Sequence, residues 1–291
     1  MRYTSIAMVM IAALFWGISG AIGNLLMDKG WDPFVISFYR GVTGFIVFFV
    51  WSFYNFKQTW NPSLHFSLWS ILAGIGVVGN FTFYFLSMQA SSISIAVTLM
   101  YTAPVFVLLT ALIIGIENST WFKWTSVFLV IAGIVLLTGS YNIDTVSTSI
   151  YGTFMGLASG LSYTLFIFGF KKASALGNAK STLTFAFLVF SLILYILMDN
   201  QEAVDALGSE DMEWFLLLGL LGAGVSFFIY VIGLRHTPPT TASVVAMIEP
   251  VTASLIGILF LSNNLSGIQF LGMGLILVTI PLLSKNQVPS S

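Results

Sequence analysis

Two charges stand inside otherwise apolar runs of the chain, Arg40 and Glu249. On insertion scales each costs about 2.5–3.5 kcal/mol at the centre of a lipid-spanning helix, so residues of this kind face a bundle interior or a watery cavity and are functional candidates by default. Glu249 fits a counter-ion for a substrate amine, or a protonatable switch. Arg40 fits a clamp for a substrate carboxylate, and an Arg about 10 Å below a membrane boundary also fits outward snorkelling with no part in a site. The two equally fit a buried ion pair that fixes helix positions, so charge pair and coupling residues stay open as readings.

Polar and aromatic side chains recur around them. Gly76, Asn80, Tyr84 and Met88 follow one another at spacing four, and so do Gly222, Ser226, Tyr230 and Leu234. Positions i and i+4 share a helix face, so each series is a stripe that runs small, polar, aromatic. Small residues and hydroxyls mediate helix packing in lipid, which is one reading of the glycines. A phenol far from the interfaces needs a hydrogen-bond partner, which favours a cavity for Tyr84 and Tyr230. Trp16, Tyr101 and Tyr163 also fall away from the interfaces, and Tyr101 lies three residues before Pro104, where the helix ladder must break. The expected substrate-binding set is therefore Trp16, Asn80, Tyr84, Tyr101, Tyr163, Ser226, Tyr230 and Glu249. His65 and His236 sit at the ends of runs without acids at metal spacing and read as interfacial. No cofactor or metal is expected.

The elements that must position these residues follow from composition. Of 291 residues 57% are hydrophobic and 7% charged, against about 25% charged in soluble domains. So few charges leave apolar patches beyond what water tolerates, which excludes a soluble enzyme and a nucleic-acid partner. The net charge of -1 implies no polyanion, and with no Cys there are no disulfides or thiolate ligands. A helix crossing the hydrocarbon needs about 20 mostly apolar residues. Ten such runs are present, roughly 5–27, 33–54, 66–87, 92–115, 122–139, 150–170, 181–198, 213–234, 240–261 and 267–283. The first lacks a small-residue cleavage pattern and reads as a retained span. Trp60, Trp69, Trp121, Trp124 and Trp214 fall near run ends, as interfacial aromatics do. The expected fold is an all-α polytopic membrane protein.

Ten spans place Arg2, Lys57, Lys123, Lys171, Lys172, Lys180, Arg235 and Lys285 on one side and Lys29 alone on the other. The positive-inside rule then sets both termini in the cytoplasm of a cell with a plasma (inner) membrane. Sliding the chain by 146 positions sets Ala103-Pro104-Val105 on Glu249-Pro250-Val251, Tyr84 on Tyr230, Gly76 on Gly222 and Asn80 on Ser226. Arg40 and Glu249 have Ala186 and Ala103 as counterparts. Five spans per unit is an odd number, so the units, 1–140 and 141–291, enter the membrane with opposite sense. Inverted repeats of this kind place a substrate site near the midplane between the halves.

Ala12-Ala13-Leu14-Phe15-Trp16-Gly17, Phe38-Tyr39-Arg40, Tyr101-Thr102-Ala103-Pro104-Val105 with Gly115-Ile116-Glu117, and Ile248-Glu249-Pro250-Val251 occur in this order over 5–283. In them the chain resembles the drug/metabolite transporter superfamily, in its ten-span EamA-type branch. The resemblance implies two inverted five-helix repeats around a central cavity and alternating-access movement of small metabolites such as amino acids, sugars or toxic compounds. The acid that often ends the fourth and ninth spans is present as Glu117, while Asn263 stands at the second position.

The expected function is secondary export of a small amphipathic metabolite, an amino acid or related amine or drug. An aromatic chamber suits apolar bodies, and cations by cation–π attraction. The alternative is uptake or exchange of a metabolite or organic cation. An intramembrane enzyme would need a nucleophile–base pair or paired acids within the spans, and a single Glu249 is poor material for it. The expected partners are a small-molecule substrate and the lipid bilayer, the assembly a monomer or homodimer.

Overall fold

The computed structural model describes residues 2–53, 63–142, 149–260 and 265–286, apart from the side chains of Arg2, Phe53 and residues 284–286. Lys57, Trp60 and Asn263 lie outside these residues, as do the side chains of Arg2 and Lys285.

The described residues form an all-helical bundle: α1 (Arg2–Asp28), α2 (Pro33–Phe53), α3 (Leu64–Ala90), α4 (Ile93–Met100), α5 (Ala103–Ile113), α6 (Trp121–Thr138) and α7 (Ile150–Leu176). Then follow α8 (Ala179–Leu197), α9 (Asn200–Leu207), α10 (Met212–Gly219), a π turn (Leu220–Val225), α11 (Ser226–His236), α12 (Pro239–Ala246), α13 (Ile248–Phe260) and α14 (Gly267–Asn286). Among the described residues nine segments are long and apolar enough to cross a membrane. The tenth expected run forms an apolar helix whose Gly267–Leu283 stretch is shorter than that. The fourth and ninth segments are each two half-helices, broken at Tyr101–Thr102 and at Met247. Pro104 and Pro250 sit in the first turns of the second halves, where a missing N–H is harmless.

Segment starts are fixed locally. The first N–H groups of a helix have no partner within it, and in lipid none outside. Side chains of Ser63, Ser92, Thr120, Ser149 and Asn178 accept from the backbone N–H three residues on. Asp32 does the same for α2, accepting from Val35 N at 3.2 Å and also from Phe34 N at 2.7 Å.

The offset of 146 residues carries α4 onto α12 and the start of α6 onto the start of α14. Packing between the halves is reciprocal. α3 lies along α7, and α1 lies along α11; α2 pairs with α8, and α6 with α14. Reciprocity of this kind is what a two-fold axis imposes on matched elements. Close approach at these contacts depends on missing side chains. A Cβ at Gly17 would stand 2.6 Å from the Glu249 carbonyl oxygen and 2.6 Å from Thr252 Cβ, where α1 meets α13. Overpacking costs about 1–3 kcal/mol, so Gly17→Ala is expected to lower Tm by several degrees in detergent. An unchanged Tm would show that α13 yields without cost.

At the end that holds the α1–α2 turn, α9 lies over a small apolar cluster with Leu26, Tyr39 and Phe215. The Tyr39 hydroxyl donates to the Ala203 carbonyl at 2.5 Å. Lys29 pairs with Asp211, and Trp31 Nε1 donates to the same carboxylate at 2.9 Å. The hydrogen bond from Lys29, then that from Trp31, holds the Asp211 carboxyl below the usual carboxylate range.

Candidate functional site

A cavity of about 270 Å³ opens between the halves, close to the 300–1,000 Å³ typical of small-molecule sites. α1 supplies Trp16 and α2 supplies Arg40; Asn80 and Tyr84 come from α3. Tyr101 projects from the break between α4 and α5, Tyr163 from α7, and Glu249 from the first turn of α13. Seven of the nine expected residues thus meet in one space. Its lining continues through Asn24 and Met27 of α1, Ser37 of α2 and Thr138 of α6, all at the end of the bundle that carries the Lys29–Asp211 contact.

Arg40 and Glu249 share the cavity but form no contact ion pair; among the described residues the pairs within 4.0 Å are Lys29–Asp211 and Lys123–Glu117. A contact pair that locks two helices is thus not formed, and the two side chains act on each other across the cavity. The Arg40 Nη2 donates to Ser19 Oγ at 2.8 Å, and Ser19 Oγ donates to the Trp16 carbonyl at 3.1 Å. The guanidinium also lies over the Phe81 ring, 4.9 Å from its centroid. Gly222 leaves room for it: a Cβ there would stand 2.9 Å from Arg40 Nε and 2.8 Å from Ser19 Cβ. Glu249 has the Tyr101 hydroxyl as a neighbour across the cavity. Its place in the first turn of a half-helix puts a carboxylate at the favourable end of the helix dipole.

Ser226 and Tyr230 are not among the residues that line the cavity, which differs from expectation. Tyr230 is fully buried, its ring 4.8 Å from Trp16 and 6.1 Å from Phe166. The reason is the inverted sense of the repeat. The stripe in α3 runs toward the open end, whereas its counterpart in α11 runs the other way into packed side chains. The glycines of both stripes serve packing: a Cβ at Gly76 would meet Phe166 Cα at 2.8 Å. Asn80 does both jobs. Its amide donates to the Ser159 carbonyl at 3.1 Å and to Ser159 Oγ at 3.0 Å, and Ser159 Oγ returns a bond to the Asn80 carbonyl at 2.8 Å.

The opposite end is tied shut by charges that lie at or just beyond the ends of the apolar runs. Gly115, at φ 69°, turns the chain after α5. Glu117 Oε1 then accepts from Thr240 N at 3.0 Å, in the first turn of α12. Lys123 Nζ stands 2.8 Å from Glu117 Oε2 and donates to the Asn118 carbonyl at 2.9 Å; both charged side chains are buried. Lys171 donates to the carbonyls of Leu234 at 2.8 Å and Thr237 at 2.6 Å, closing the C-terminus of α11. His65 and His236 are exposed at the start of α3 and the end of α11.

Sequence reasoning missed Ser19 and Phe81, which hold Arg40. Ser19 carries a faint signal as a hydroxyl within the small-residue run Gly17–Gly20; Phe81 carries none among 27 phenylalanines.

An all-helical bundle with half-helices meeting at an internal cavity defines a polytopic membrane protein of the transporter kind. The EamA-like transporter family matches the chain twice, over residues 3–139 and 150–285, and the chain belongs to that family. It is similar to the uncharacterized transporter YwfM of Bacillus subtilis (strain 168), 23% identical over 95% of this chain and 92% of that one. An uncharacterized transporter of Archaeoglobus fulgidus is 25% identical over 96% of each chain. The threonine/homoserine exporter RhtA of Escherichia coli (strain K12) is 26% identical over 70% of this chain and 66% of the exporter. A solved crystal structure matches the fold with a TM-score of 0.78 over 99% of both chains at 16% identity.

Proposed function

We propose that the chain is a ten-span secondary transporter that exports an amino acid or a related small amine by alternating access. Residues 1–140 and 141–291 are its two inverted units, with both termini cytoplasmic in the plasma (inner) membrane. One observation carries this reading: one cavity with aromatic walls presents a cation, Arg40, and an acid, Glu249, that are near enough to act on each other but not in contact. Each charge is thereby left for the opposite charge of a zwitterion, and Tyr84 and Phe81 offer faces to an apolar side chain. Similarity to a threonine/homoserine exporter supports the same substrate class. The half-helix breaks at Tyr101–Thr102 and Met247 are the places where the two units flex about the site.

Proteoliposomes loaded with radiolabelled amino acids test it. Efflux of at least one above protein-free vesicles is expected, and none for any amino acid or amine overturns the reading. Tyr84→Ala should weaken apparent affinity about tenfold, from loss of roughly 1.5 kcal/mol of aromatic contact; wild-type affinity would place the substrate on other faces.

A further inference from the structure

Beside the main cavity lies a second space of about 30 Å³, close to the liquid volume of one water. Trp16, Arg40, Tyr163 and Glu249 border both spaces, and Phe166 and Phe227 wall the small one. Three of these side chains carry a buried donor with no partner: Trp16 Nε1, Arg40 Nε and the Tyr163 hydroxyl. Trp16 is 6% exposed and Tyr163 3%, so bulk water does not satisfy them.

Of the neighbouring polar groups, the Asn80 amide N–H is held by Ser159 and Arg40 Nη2 by Ser19, while the Tyr230 hydroxyl, its ring 4.8 Å from Trp16, is a further buried group without a partner. A buried donor left without an acceptor keeps its desolvation penalty, so Trp16 Nε1 and the Tyr163 hydroxyl, with the Arg40 guanidinium beside them, form a strong demand for acceptors. A water molecule brings two hydrogens of its own that need acceptors in turn. A carboxylate brings none, and its two oxygens offer about four acceptor sites. The Arg40 charge favours the anion further, through charge-assisted bonds.

We propose that this recess receives the carboxylate of the substrate, with the α-ammonium group on Glu249 at its rim and the side chain left in the main cavity against Tyr84. The assignment rests on the amino-acid reading above and gives it an orientation. It makes the recess the part of the site that separates amino acids from amines of the same body. Trp16 and Tyr163 become binding residues through their N–H and O–H, not through ring area alone.

The test is calorimetric titration of the purified full-length protein with L-threonine, L-homoserine and L-phenylalanine. The tightest of the three is then compared with its carboxamide and its decarboxylated amine. Both analogues are expected to bind at least tenfold more weakly. Tyr163→Phe should weaken the amino acid about tenfold, leave the amine unchanged and leave the ligand-free Tm no lower, since it deletes a hydroxyl that has no partner. Equal binding of amino acid and amine, or equal weakening of both by Tyr163→Phe, overturns the recess while an amine transporter stands. Binding of none of the amino acids or amines overturns the amino-acid reading and the recess with it.

Discussion

Glu249→Gln should abolish transport and leave the protein folded. The substitution keeps the shape but removes the only acid that lines the cavity among the described residues. An ammonium group brought into that cavity would lose its counter-charge in a site walled by aromatic rings. Loss of one partner from a desolvated charge pair costs about 2–5 kcal/mol, a thirtyfold or greater fall in affinity. Efflux from proteoliposomes checks it, alongside size-exclusion behaviour and Tm for folding. Wild-type efflux from Glu249→Gln would remove this residue from the mechanism and leave it as a helix-end charge in the first turn of α13.

The largest effect on stability is expected at the closed end. Glu117→Leu strands the buried Lys123 ammonium and frees the N–H of Thr240 at the start of α12. Breaking a buried pair by removing one partner costs about 3–5 kcal/mol, whereas replacing both partners by apolar residues is often neutral. Glu117→Leu should therefore unfold far more readily in detergent than wild type, and Lys123→Met in the same chain should recover most of the loss. If the double variant is no more stable than the single one, the contact to Thr240, and not the charge pair, is what matters. The same contact joins the two halves of the chain on the side away from the cavity, so the double variant also reports on closure. A cysteine placed at Thr241 should label faster from that side, with no background because the chain has no other cysteine.

Much of this arrangement was legible in the residues. Run length and apolarity named the lipid-crossing helices, because both are local properties set by the thickness of the bilayer. Pro104 and Pro250 marked the two broken segments, because proline removes an N–H wherever it falls. The offset of 146 identified matched elements down to α4 and α12. Trp16, Arg40, Asn80, Tyr84, Tyr101, Tyr163 and Glu249 were identifiable one by one, since polar atoms far from a membrane boundary must face something other than lipid.

What periodicity cannot express is a partner. It assigns Tyr84 and Tyr230 to equivalent faces of equivalent helices, yet only packing decides that one lines an open cavity and the other lies buried against Trp16. The sequence likewise brings Arg40 and Glu249 to similar depths. Their separation, with Ser19 and Phe81 holding the one and Tyr101 beside the other, depends on how α1, α2 and α13 meet. Lys123 and Lys171 count as charges at the ends of runs for orientation, and become internal caps only when the chain closes over them. Sequence therefore fixed the elements and their polar inventory, whose causes are local. Tertiary structure decided which end is open and which charges stay out of contact, because those follow from how separate helices meet, from Ser19 with Arg40 to Glu117 with Thr240.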